Sequence, residues 1–111
     1  VIFLLKGGKK MAILEISVMP LGTATPSLSK YVAGAMKVLQ AEKDLKYEMT
    51  SMGTNIEGDL ERLFDLARRM HLSAFAVGAP RVVTTLKIDD RRDQAATIQS
   101  KIASVKRKLE K

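Results

Sequence analysis

Apolar positions alternate strictly over residues 12–19, with Leu14, Ile16 and Val18 on one side and Ile13, Glu15, Ser17 and Met19 on the other. A period of two is that of a strand with two different faces. Pro20 and Gly22 stop it, and a turn-rich loop follows in which Thr25 or Ser27 is placed to cap a helix. Over residues 28–43 the period changes to 3.6, carried by Leu28, Tyr31, Val32, Ala35, Met36 and Leu39. Alternation returns over residues 45–52, where Tyr47, Met49 and Ser51 oppose Lys46, Glu48, Thr50 and Met52. Gly53 allows a turn, and a short third strand over Thr54–Glu57 ends at Gly58. Asp59 then caps a helix striped by Leu60, Leu63, Phe64, Ala67, Met70, Ala74 and Val77, which Gly78 and Pro80 terminate. The Val- and Thr-rich run Arg81–Ile88 predicts a fourth strand, and Ile98, Ile102, Val105 and Leu109 predict a final amphipathic helix.

The resulting order is β-α-β-β-α-β plus a terminal helix, which is an α+β, ferredoxin-like sandwich with a four-stranded antiparallel sheet. Right-handed crossovers place both main helices on one face and leave the other uncovered. That second face carries Ile13, Met19 and Met52 beside Glu15, Ser17, Glu48 and Thr50, too apolar to be simply wet and too polar for a core. A homodimer that packs sheet against sheet covers it, with the last helix lying across a neighbour.

The chain has 111 residues and is 46% hydrophobic, which suits one domain with one core. It has no cysteine, which excludes disulfides and thiolate chemistry and points to a reducing, cytoplasmic setting. A single histidine, His71, argues against metal sites and catalytic triads. No apolar run approaches the roughly 20 residues that span a bilayer, and Val1–Leu5 followed by Lys6, Lys9 and Lys10 reverses the charge order of a signal peptide. Met11 therefore marks the expected start of the domain, with residues 1–10 an extension or an expression remnant. Three of the seven net positive charges lie in that segment, and the others are interleaved with Asp89, Asp90 and Asp93. With no basic stripe and no stacking aromatics, nucleic acid and membrane are not expected partners.

Three patches are candidates for chemistry. The hydroxyl-rich loop of residues 20–31 runs into a helix start, where free N–H groups could hold an anion or a ligand hydroxyl, or could simply be capped. Residues 47–58 set Glu48 and Glu57 around a tight hairpin, which suits acid–base work or, more commonly for strand-borne Glu, salt bridging. Residues 81–93 alternate in charge and read as a self-neutralising network. His71, beside Arg68 and Arg69, reads as a surface or interface side chain. No nucleophile–base pair and no metal set is visible, so neither a catalytic residue nor a metal is assigned. In the ferredoxin-like order the first and second strands run parallel with the third between them. The end of the first strand, the hairpin and the start of the fourth strand then gather at one edge. Thr23, Ser27, Met52 and Thr54 can share a pocket there, with Tyr31 as an aromatic wall.

Residues 16–23 (Ile-Ser-Val-Met-Pro-Leu-Gly-Thr), 26–32, 47–58 and 81–93 (Arg-Val-Val-Thr-Thr-Leu-Lys-Ile-Asp-Asp-Arg-Arg-Asp) resemble the small thiamine-binding protein family, from about residue 12 to the C terminus. The resemblance implies dimers built through the sheets, often paired into tetramers, and a pocket for thiamine or its hydroxymethylpyrimidine part. It implies a role in thiamine supply or salvage, as a carrier or sensor; the lack of a nucleophile–base pair makes that role a non-catalytic one, with no cofactor expected. An aminopyrimidine needs a few donors and acceptors against an apolar or aromatic wall, and a thiazolium cation favours a carboxylate. Thr23, Ser27, Tyr31, Glu48, Thr50, Met52 and Thr54 supply those groups. The alternative is an oligomeric structural or regulatory interaction domain without a small-molecule ligand.

Overall fold

In a computed structural model of the chain, which describes residues 11–94 and 97–110, seven elements follow one another. They are β1 (Ala12–Leu21), α1 (Ser29–Gln40), β2 (Lys46–Met49), β3 (Thr54–Gly58), α2 (Leu60–Val77), β4 (Arg81–Asp89) and α3 (Ile98–Leu109). The assignment of residues 1–10 to an extension lies outside the described residues. The strands form one sheet in the order β2-β3-β1-β4 with every neighbouring pair antiparallel. This is the ferredoxin-like arrangement expected from the sequence, with α3 appended.

β1 is central and sets the layers. Its Leu14 and Ile16 are fully or almost fully buried, and they meet Ile56 of β3, Ala35 and Leu39 of α1, and Leu63, Leu66 and Met70 of α2 in one cluster. Each large aliphatic side chain removed from water contributes about 1.5–3 kcal/mol, so this cluster is what holds both helices to one side of the sheet. Alternation then fixes the opposite, open face: Ile13, Glu15, Ser17, Met19 and Leu21 of β1, flanked by Glu57 and Asn55 of β3 and by Lys87, Thr85 and Val83 of β4.

The ends of α2 follow the sequence chemistry. The Asp59 carboxylate accepts a hydrogen bond from the Arg62 N–H at 3.0 Å, and Gly78 takes the left-handed φ of 115° that lets Ala79 N–H reach the Ala74 carbonyl. The start of α1 corrects the sequence reading. Its N-cap is Leu28, which makes no side-chain cap, because Thr25 and Ser27 lie too far upstream of Ser29. The Ser27 hydroxyl sits 3.4 Å from that of Ser29 instead.

α3 is attached differently from the other helices. It begins with a reciprocal capping box between Thr97 and Ser100. The Glu57 carboxylate, only 6% exposed, accepts the Ile98 N–H at 2.9 Å. Lys101 pairs with Asp89. Glu57 and Asp89 are both cross-strand neighbours of Ile13, so the first turn of α3 is tied to one row of the open face. Beyond that turn its stripe is exposed at Ile102, Val105 and Leu109, and no residue of the helix is buried. No helix among the described residues is long and apolar enough to cross a membrane.

Glu57 is therefore an anchor for α3, through a charge-assisted hydrogen bond to a helix N-terminus. Glu57→Ala is expected to free α3, with hydrogen exchange over residues 98–105 accelerating at least tenfold while the Leu14 and Ile56 amides keep their protection. Equal protection of α3 in the variant and the wild type would remove the anchoring role.

Candidate functional site

A mismatch in strand length builds the best-defined apolar cavity. β1 pairs with β4 as far as Leu21, whereas its pairing with β3 stops at Ile16 opposite Thr54. Past that row the β3 side of Ser17, Val18 and Met19 has no strand neighbour, and a notch opens in the sheet. The β2–β3 turn closes one side of the notch, and Leu28, Val32, Ala35 and Met36 of α1 roof it, leaving a groove of about 220 Å³ with Met70 at its floor. Five of the six methionines in the chain line it: Met19, Met36, Met49, Met52 and Met70. Thioether side chains adapt to irregular ligand shapes and make favourable contacts with flat rings. Met52 is 83% exposed, so the mouth of the groove carries unburied apolar surface.

The turn that forms the rim is stiff. The Thr50 hydroxyl donates to the Gly53 carbonyl at 2.9 Å and accepts from the Met52 N–H at 3.2 Å, and the Thr50 N–H donates to the same carbonyl at 2.7 Å. Gly53 passes so close to β1 that a Cβ there would stand 2.9 Å from the Ile16 carbonyl oxygen. Thr54, buried next to this contact, directs its hydroxyl at the Met36 sulfur at 3.7 Å. Sulfur is a weak acceptor, which leaves the Thr54 hydroxyl available to a better partner in the groove.

The seven residues singled out from the sequence separate into groups. Thr50, Met52 and Thr54 line the groove. Tyr31 is not a wall of it: the side chain is 5% exposed and packs with Ala74, Ala79, Val77 and Val82 behind Val18, which the groove and the Tyr31 cluster share. Thr23 and Ser27 lie in the loop before α1, where the Thr23 hydroxyl donates to the Thr25 carbonyl at 2.8 Å. Glu48 projects from the open face opposite Asn55 and borders a second hollow, of about 320 Å³, with Lys46, Glu57 and the start of α3. The alternation read through residue 52 breaks at Met49, where β2 ends. Thr50 and Met52 thus lie in the turn and face the groove, rather than continuing the open face. The sequence reading missed Met19, Met36, Met49 and Met70 as groove residues. Helical or strand period assigns Met36, Met49 and Met70 to core stripes and Met19 to the uncovered face, and only their shared residue type marks them as a set.

The other candidate patches are held by their own neighbours. Arg91 pairs with Asp93 through two hydrogen bonds, at 2.6 and 2.8 Å, and Arg92 pairs with Asp90 at 2.8 Å. The hydrogen bonds from Arg91 hold the Asp93 carboxyl below its ordinary pKa. The His71 Nδ1 lies 2.6 Å from the Thr84 hydroxyl, and its ring meets Phe75 edge-on. Among the described residues no group of three His, Asp or Glu side chains is placed to hold a metal ion.

Comparison with known proteins bears on this geometry. A family described as thiamine-binding protein matches residues 14–106. The UPF0045 protein YqgV of Bacillus subtilis is 47% identical over 103 residues, covering 90% of this chain and 99% of its own. A UPF0045 protein of Methanothermobacter thermautotrophicus is 43% identical over 100 residues, covering 89% and 100%. Among solved structures, the hypothetical protein MJ1052 of Methanocaldococcus jannaschii superposes with a TM-score of 0.80 at 37% identity, over 87% of this chain and 97% of that one. A Thermotoga maritima protein, provisionally described as acting in thiamine biosynthesis or salvage, superposes at 0.71 with 23% identity over 86% and 98%, a likeness of fold.

Gly53 tests the geometry of the rim. Gly53→Ala is expected to push the turn off Ile16 and to lower stability by about 1–3 kcal/mol in urea titration, the range for an overpacked contact. A variant as stable as the wild type would mean that the turn can move away freely and that the notch has no fixed rim.

Proposed function

The chain belongs to the thiamine-binding protein family, and from that premise we propose that its groove binds the hydroxymethylpyrimidine part of thiamine, without catalysis, in thiamine supply or salvage. The observation that carries this reading is the notch itself, which joins a strand edge to a set of methionines. On the notch side, the backbone of Ser17–Met19 has no β-strand partner. Such an edge offers alternating N–H and C=O groups to a planar aminopyrimidine, while Met36 and Met70 provide polarizable surface for its ring. Thr54 supplies a hydroxyl within the same walls. At about 220 Å³ the groove is smaller than the roughly 300–1,000 Å³ usual for drug-sized ligands. It therefore suits a single ring, with the thiazolium directed to the mouth near Met52. The Thermotoga maritima protein's description in thiamine biosynthesis or salvage supports the same class of ligand.

Calorimetry with thiamine, its phosphates and free hydroxymethylpyrimidine tests the reading. Hydroxymethylpyrimidine and thiamine are expected to bind, and Thr54→Val is expected to weaken both by about 0.5–1.5 kcal/mol, the contribution of one hydrogen bond. No heat with any of them would overturn the proposal. Glu48 borders the other hollow, so Glu48→Gln is expected to leave both affinities unchanged, and a loss confined to thiamine would move the thiazolium from the Met52 mouth to the Glu48 carboxylate.

We propose further that the open face is covered by a second copy, sheet against sheet. Its apolar part includes Met19, at 42% exposed, and Val83, at 44%, while Glu15 and Lys87 pair beside them. A patch of this mixed kind suits an isologous interface better than bulk water. Light scattering after size exclusion is expected to give a dimer or tetramer, and a monomer at micromolar concentration would remove the second copy. An oligomer that binds none of the thiamine compounds would instead favour an interaction domain.

A further inference from the structure

The second edge of the sheet has a different character from the notch. β4 spans nine residues, against four in β2. Its register with β1 runs unbroken from Asp89 opposite Ile13 to Arg81 opposite Leu21, so it contains no bulge, and it contains no proline. Its outer side has no strand partner among the described residues. Long, regular edges of this kind are templates for pairing with another strand, and proteins usually interrupt them. The surface beside this edge is apolar as well. Leu86 and Ile88 are 39% and 37% exposed on the helix side of the strand. Next to them, His71 of α2 meets Thr84 and carries Phe75 against its ring, with Phe75 43% exposed.

We propose that β4 is a pairing edge for a second copy of this chain, joined antiparallel to its own β4 about a twofold axis at Thr85 to make a continuous eight-stranded sheet. An antiparallel strand is self-complementary under a twofold axis, so each contact is made twice. Opposed residues must also share a face, which restricts the axis to a residue and leaves few registers. An axis at Thr84 sets Arg81 of each copy against Lys87 of the other, two repulsive pairs. An axis at Leu86 sets Arg81 against Arg91 and leaves the start of the strand without a strand partner. An axis at Thr85 uses all nine residues. It sets Arg81 against Asp89 on the open face, twice, and Val82 against Ile88 and Thr84 against Leu86 on the helix side. Charge and hydropathy thus select the same register. Asp89 already holds Lys101, so the Arg81 contact joins an existing charged group at the foot of α3. The proposal requires neither the thiamine reading nor the sheet-to-sheet dimer, because it rests on the free backbone edge of β4, which neither the groove nor a copy packed on the open face would pair.

The absence of cysteine makes a direct test available in the full chain. Opposed Cα atoms in an antiparallel pair lie about 4.5–5.5 Å apart, within disulfide reach, whereas sheets packed face to face stand about 10 Å apart, beyond it. Under mild oxidation with dissolved oxygen and copper phenanthroline, Thr85→Cys is expected to run mainly as a covalent dimer on a non-reducing gel. Ser17→Cys, on the same face but one strand inward, is expected to remain monomeric. Arg81→Asp placed in the Thr85→Cys chain is expected to lower the yield of dimer several-fold, and Asp89→Arg added to it to restore that yield. Three results would each overturn the proposal: no dimer from Thr85→Cys, equal cross-linking at positions 17 and 85, or a yield indifferent to the charge reversals.

Discussion

The alternation along β1 is the constraint on which everything else in this chain depends. Leu14 and Ile16 are fully or almost fully buried under the two helices, and a shift of one residue would exchange them for Glu15 and Ser17. Since β1 is hydrogen-bonded on both sides, its register also fixes where β3 and β4 lie. One consequence is the groove. β1 continues five residues beyond its last partner in β3, and the close passage of Gly53 over the Ile16 carbonyl holds the turn at that point. The groove is therefore a result of unequal strand lengths held by one backbone contact, with side chains added around it.

A second consequence is the unequal treatment of the three helices. α1 and α2 bury aliphatic side chains in the layer over the sheet. α3 instead reaches the other face, where a buried carboxylate and one ion pair tie down its first turn. Burial is cooperative and holds an element along its length, whereas two polar ties hold only the end they touch. The exposure of the α3 stripe follows from that difference, as does the separation between a well-packed sandwich and an appendage.

Much of this was legible in the sequence because it rests on period and on caps. Asp59, Gly78 and the stripe from Leu63 to Ala74 specify α2 almost without reference to the rest of the fold. The order of elements then leaves few topologies, and the family resemblance in residues 47–58 and 81–93 agrees with the one observed. The site was less legible, for reasons that differ from residue to residue. Alternation carried through residue 52 placed Thr50 and Met52 on the open face, but it has no physical basis once the chain leaves the sheet at Met49. Tyr31 reads equally well as a ligand wall or as core, and the second core cluster decides for the core. Glu48 falls on the open face because a side chain one residue from Met49 in the same strand must point the other way. The methionines were assigned to stripes one element at a time, and their convergence exists only once β1, α1, α2 and the hairpin have been brought together.

The way the groove is built suggests how it could be selective while its walls remain adaptable. The methionines can change rotamer at small cost and so tolerate ligands of somewhat different outline. The strand edge of Ser17–Met19 cannot: it is held by nine residues of pairing to β4 on its other side, and the turn facing it is braced by three hydrogen bonds. Discrimination by hydrogen-bond pattern needs such fixed groups, because a mismatched ligand is rejected only if the donor it fails to satisfy cannot move away to another partner. A ligand in such a groove would be read loosely by shape and strictly by polarity. The groove also lies beside the β2–β3 turn and α1, on the side of β1 that faces away from β4. Ser17 and Met19 belong both to the open face and to the groove wall, so a copy packed on that face would share residues with a ligand, whereas a copy paired at the outer side of β4 would not.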